Sequence, residues 1–187
     1  EGKYINFITN TEGLINNTYI LEYQLENGKT IHYALQRVNT NVFKEPLNLM
    51  SNIFGVTKHL RNKIAAAGGD FARGTLNFIP TKDGQYGYID QDGDFWRTYL
   101  YVENVIAHNR IERPIQFQNA GKAFGQFQNL LADYPSNELY ETIPLFHDTV
   151  NRYNNLMEAV EKDTAGRSAS VQAEIEFAKA HRSYCNI

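Results

Sequence analysis

Polar and apolar positions trade places with period two twice in the first forty residues. From Thr18 to Leu25, Tyr19, Leu21, Tyr23 and Leu25 fall on one side of an extended chain and Thr18, Ile20, Glu22 and Gln24 on the other. That is the pattern of a half-buried strand. From Ile31 to Val38, His32, Ala34, Gln36 and Val38 oppose Ile31, Tyr33, Leu35 and Arg37. Residues 4–9 form a β-rich stretch ahead of both, and Glu26-Asn27-Gly28-Lys29 supplies a hairpin turn between them. The period then lengthens. Pro46 suits a first helical turn, and Leu49, Met50, Ile53, Val56 and Leu60 recur at helical spacing up to Lys63 or Ala67, where Gly68-Gly69-Asp70 ends the run.

Short strands are predicted over Leu76–Pro80, Tyr86–Ile89 and Phe95–Glu103, joined by Asp-Gly turns. Asp90-Gln-Asp-Gly-Asp94 resembles the opening of a calcium loop. Its flanks read as strands and no late glutamate follows, so it is read as a hairpin turn. From Arg113 the chain turns helical. Pro114 opens a helix to about Asp133, with Phe117, Ala120, Phe124, Phe127 and Leu131 on its apolar face. Gly121 and Gly125, one turn apart, are expected to admit a close neighbour. Two more helices, about Val150–Lys162 and Ser168–Arg182, are expected, with Ser168 as an N-cap.

The fold class is therefore α+β, an antiparallel sheet with one long helix followed by a helical part. The divisions fall at 1–103, a connection at 104–113, and 114–187. Aromatic content is 13% and net charge −3 with no Lys/Arg cluster, which argues for a folded protein and against duplex nucleic acid as a partner. The single cysteine, Cys185, excludes an internal disulfide and a Cys-based zinc site. No run approaches the ~20 apolar residues of a membrane span, and a cytoplasmic location is expected. The five histidines show no metal-ligand spacing and no Gly-x-Ser-x-Gly elbow occurs, so a hydrolase has little support.

The loop Gly13-Leu-Ile-Asn-Asn-Thr-Tyr19 lies between the first two strands. Its glycine and asparagines tolerate left-handed backbone, and such a loop can turn N–H groups and hydroxyls toward an anion. It reads either as a flap over nucleotide phosphates or as an ordinary hairpin turn. That loop, with Tyr33-Ala-Leu-Gln-Arg-Val-Asn39, Val42-Phe-Lys-Glu-Pro46, Leu49-Met-Ser-Asn-Ile53, Ile79-Pro-Thr-Lys-Asp-Gly84, Phe95-Trp-Arg97, Gly121-Lys-Ala-Phe-Gly125 and Glu141-Thr-Ile-Pro-Leu-Phe-His147, resembles the aminoglycoside phosphotransferase and choline kinase superfamily. Within it, the likeness is to bacterial sugar kinases of the N-acetylhexosamine 1-kinase type, over nearly the whole chain.

The resemblance implies a kinase-like small lobe, a hinge, and the first helices of a large lobe. It implies ATP with Mg²⁺ as cofactors and a sugar or amino sugar as acceptor. Gly13, Asn16, Asn17 and Thr18 would form the flap, Ala34 would pack on adenine, and the backbone of Tyr101, Val102 and Glu103 would meet the adenine edge. The strand position that usually carries a phosphate-gripping lysine holds Gln36, with Arg37 beside it. Alternation favours Gln36 unless a bulge re-aims Arg37. The usual helix glutamate is also missing; Asn48 and Asn52 offer a neutral amide in its place. His108-Asn109 and His147-Asp148 mimic a catalytic loop too early in the chain and are read as loop or cap residues. The chain is accordingly expected to be the amino-terminal part of a kinase whose catalytic acids and Mg²⁺ ligands lie outside it, inactive alone. A non-catalytic kinase-like binding module is the alternative.

Overall fold

The computed structural model describes residues 2–11, 13–106, 108 and 110–186. The chain forms two compact units, residues 1–142 and 143–187.

The first unit is built on one antiparallel sheet. Its strands are β1 (Lys3–Asn10), β2 (Asn17–Gln24), β3 (Thr30–Val38), β4 (Phe78–Ile79), β5 (Tyr88–Ile89) and β6 (Phe95–Leu100). The order is β1-β2-β3-β6-β4, with β5 also paired to β6. β4 meets Thr98 and Tyr99 while β5 meets Phe95 and Trp96, so the two short strands share one edge of β6 and the sheet is five strands wide. Helix α1 (Pro46–Ala66) follows β3, and Gly68 stops it at φ 71°. The predicted strands at 76–80, 86–89 and 95–103 are present but shorter. Thr81 and Asp90 organise the intervening turns with their own side chains, which withdraws residues from the ladder.

Register assigns every strand residue to a face. Thr18 pairs with Gln36, Ile20 with Ala34, Gln36 with Arg97 and Val38 with Phe95. These residues share the face on which α1 packs. The core lies between sheet and helix: Val38, Leu49, Met50 and Phe95 are buried, with Phe43, Ile53, Phe78 and Tyr86 around them. The opposite face carries an aromatic ladder, Tyr4–Tyr23–Tyr33 and Phe7–Tyr19–Trp96, with ring centroids 5.6–6.1 Å apart. Such cross-strand aromatic pairs stiffen a sheet.

A four-residue helix, α2 (Phe71–Gly74), was not anticipated. Asp70 caps it by accepting from the N–H groups of Ala72 and Arg73. Helix α3 (Pro114–Leu131) belongs to the first unit and is tied to α1 at its far end. There Lys63 Nζ lies 2.6 Å and His59 Nε2 3.2 Å from Asp133 Oδ1. Gly55 lies under the Tyr134 hydroxyl: a Cβ there would sit 2.3 Å from the oxygen. Gly121 and Gly125 do not behave as expected. Nothing lies within 4 Å of the Cβ position of either, so among the described residues no neighbour uses them.

The second unit holds α4 (Thr149–Lys162) and α5 (Gln172–Ala180). Asp148 caps α4 through Asn151 N–H at 2.7 Å. Ser168 is not the cap of the last helix. Asp163 ends α4 in a left-handed conformation (φ 35°), and its carboxylate collects the N–H of Arg167 and both the N–H and the hydroxyl of Ser168. Ser168 therefore opens a 3-10 turn, and α5 starts four residues later.

Candidate functional site

The α1-facing side of the sheet is only partly covered, and the predicted site residues divide over it. β2 and β3 bring Thr18 and Gln36 together, and Gln36 Nε2 donates to Thr18 Oγ1 at 3.0 Å. The same amide accepts at Oε1 from Arg97 Nε, also at 3.0 Å. Arg97 NH1 lies 3.8 Å from Met50 Sδ on α1, and its guanidinium carbon 5.7 Å from the centroid of Phe78. A polar row, Thr18–Gln36–Arg97, thus crosses three strands and ends against the helix. Thr18 is buried; Gln36 and Arg97 are half-buried.

Burial pushes the Arg97 pKa down, partly offset by the Tyr99 hydroxyl, whose own pKa burial pushes up. Arg97 closes the Phe95-Trp-Arg97 motif. The alternation that places Gln36, applied to Phe95–Tyr99, sets a cation between two aromatic residues on one face of that strand, and that signal was legible.

The loop before β2 is fixed by side chains. Asn16 Oδ1 accepts from Asn39 N–H at 3.0 Å, fastening the loop to the end of β3. Gly13 does not take a left-handed backbone. A Cβ there would lie 3.1 Å from the Asn16 carbonyl oxygen, a tight contact. Asn17 is exposed and pairs with Arg37. Ala34 is 1% exposed, flanked in register by half-buried Ile20 and Tyr99.

Arg37 lies on the other face. The β2–β3 and β3–β6 registers run through it without a bulge. Its NH1 is 2.8 Å from Asp94 Oδ2, and this carboxylate raises its pKa. The neighbouring Asp90, which opens the segment resembling a calcium loop, is likewise spent. It accepts from the Trp96 indole at 2.7 Å and from the N–H groups of Asp92 and Asp94, and the indole bond foremost holds it below the usual carboxylate range. Among the described residues, no three His, Cys, Asp or Glu side chains converge on a point where a metal ion could be held.

At the end of β6, Tyr101 N–H donates to the His32 carbonyl at 3.1 Å and the Glu103 carbonyl accepts from Arg73 at 3.0 Å. The Glu103 carboxylate meets His32 Nδ1 at 2.6 Å. Among the described residues, the Val102 peptide groups have no bonded partner in this stretch. On α1, Asn52 does not face Gln36. Its amide brackets the backbone of Tyr140, donating to the carbonyl at 2.8 Å and accepting from the N–H at 2.9 Å. His108 lies 3.3 Å from the Gln116 amide; Asn109 falls outside the described residues. No helix of the described residues is long and apolar enough to cross a membrane.

No family model matches the chain.

Proposed function

We propose that the first unit binds ATP on the α1-facing side of its sheet, and that the chain is the nucleotide-binding part of a small-molecule kinase acting on a sugar hydroxyl. The proposal starts from the resemblance to the aminoglycoside phosphotransferase and choline kinase superfamily. One observation carries it. The strand order β1-β2-β3-β6-β4, with α1 after β3, pairs Thr18 with Gln36 and Ala34 with Tyr99 on the sheet face on which α1 packs, and that shared face supports the reading.

In this reading the adenine lies beside Ile20, Ala34 and Tyr99, with its polar edge on the Val102 peptide. The near-complete burial of Ala34 means that Ile20 and Tyr99 offer most of the apolar contact. Thr18 and Gln36 lie toward the phosphates, and Gly13 leaves the loop backbone free to approach them. Arg37, already paired with Asp94, is given no part. The described residues contain no group that fits Mg²⁺, so no step is derived through the ion. Asp148, in the His-Asp pair that mimics a catalytic loop, is a helix cap and is assigned no role with an acceptor hydroxyl.

The test is calorimetric titration of the 187-residue chain with Mg–ATP, alongside ADP release by the native protein over a panel of hexoses and amino sugars. Saturable binding by the chain and sugar-dependent ADP release by the native protein are expected. Absence of nucleotide binding overturns the reading. A second reading, a binding module without phosphotransfer, draws on the neutral Gln36 and on the lack of an acid beside Asn48 and Asn52 on α1. Nucleotide binding without ADP release, whatever the sugar, would favour it.

A further inference from the structure

Arg97 is a cation without an anion. Its charge stands on the half-covered face of the sheet, and no Asp or Glu of the described residues lies within ion-pair distance of it, whereas Arg37 on the other face is paired with Asp94. A guanidinium carries five N–H donors. Nε is spent on Gln36 Oε1, and NH1 meets only the weak sulfur acceptor of Met50. Phe78 supports the plane from one side. Withdrawing an unpaired charge from water is costly, and a sheet built of apolar and neutral residues does not require one here. The planar fork suits two oxygens of a phosphate, and a charge-assisted pair of that kind is about twice as strong as a neutral hydrogen bond. Gln36 and Thr18 hold the arginine in place from the side of β3 and β2.

We propose that Arg97 supplies the positive charge that grips the polyphosphate in this site, with Gln36 as the residue that positions its guanidinium. The cation thus stands one strand over from its customary place. This rests on the nucleotide reading above and adds to it the residue that discriminates phosphorylated from bare ligand.

Three ligands separate the two claims: Mg–ATP, adenosine and inorganic tripolyphosphate, each titrated against the 187-residue chain and its Arg97→Gln and Arg97→Lys variants. Folding is checked by circular dichroism. Arg97→Gln is expected to weaken Mg–ATP and tripolyphosphate by about 10–100-fold, the range for a hydrogen bond to a charged group, and to leave adenosine within about twofold. Arg97→Lys is expected to fall between. Gln36→Lys added to Arg97→Gln, which returns the charge to β3, is expected to recover phosphate-dependent affinity. This double variant and the lysine variant decide the matter where Arg97→Gln alone does not fold.

If the parent chain binds Mg–ATP and neither single variant changes it, the assignment of Arg97 is overturned and the nucleotide reading stands. If tripolyphosphate binds in an Arg97-dependent way while Mg–ATP and adenosine do not, the cation site stands and the nucleotide reading falls. Binding of none of the three overturns both.

Discussion

Gly87→Ala removes no contact and strains no backbone dihedral, yet it should unfold the first unit more easily. Gly87 is not among the glycines with positive φ, so alanine can adopt its backbone. The obstacle is Phe95. A Cβ at Gly87 would sit 2.0 Å from Phe95 Cζ and 2.7 and 2.8 Å from the two Cε atoms. Carbon atoms rest at about 3.5–4.0 Å, so the ring or the strand must move by roughly 1.5 Å. Phe95 is 1% exposed and packs with Val38, Leu49 and Met50, so the ring has nowhere to swing. Overpacking of this kind costs about 1–3 kcal/mol. The entropy that alanine removes from the unfolded chain returns about 0.4–1 kcal/mol. The midpoints leave a net loss of about 1.3 kcal/mol, or roughly 3–5 °C in Tm.

Urea denaturation followed by Trp96 fluorescence measures this loss, since Trp96 is the only tryptophan and lies on β6. Phe95→Leu shortens the obstructing side chain, so the double variant should lose less than the sum of the two singles, with a coupling of about 0.5–3 kcal/mol. A Gly87→Ala protein as stable as the parent, or strictly additive singles, would refute the close packing of Gly87 on Phe95 on which this rests.

Asn52→Ala should free the backbone of Tyr140 by deleting both amide bonds, raising hydrogen exchange at the Tyr140 amide and protease cleavage across 139–142, while core exchange in β3 stays as it was. Titrating Trp96 fluorescence downward in pH should show a step from the Asp90 carboxylate. Its folded pKa is lowered, so the stability it lends is present above the ordinary carboxylate pKa of about 4 and is lost as pH falls through the lower folded value. Asp90→Asn should abolish that step. In the second unit, Asp163→Ala should destabilise more than Asp163→Asn, because asparagine tolerates the left-handed backbone and keeps an acceptor for Ser168; thermal denaturation of the two variants compares them.

The sequence was informative wherever one period governed a stretch. Two-residue alternation put Ala34 and Gln36 on one face of their strand, and the register agrees and adds Thr18 to it. Helical spacing found α1 with its start at Pro46. What was missed turned on side chains that bond to backbone. Gly69-Asp70 read as punctuation, because the capping of α2 by Asp70 leaves no periodic trace in four residues. Asn52 offered a suitable amide for Gln36, but its partner is the Tyr140 backbone, 88 positions away, and no local pattern announces that. Gly121 and Gly125 show the opposite failure: their spacing suggested a close neighbour, and spacing cannot say whether one is there. Arg97 was within reach of the same alternation rule as Gln36, and only its inclusion in a longer motif hid its face.

Hydrogen exchange of the 187-residue chain with and without Mg–ATP tests the central claim most directly, because it both detects binding and locates it. Slowed exchange is predicted at 13–18, at 34–36 and at 101–103, with adenosine protecting 101–103 but leaving 13–18 unchanged. Unaltered exchange at saturating nucleotide, or protection confined to segments away from these three, would contradict the account.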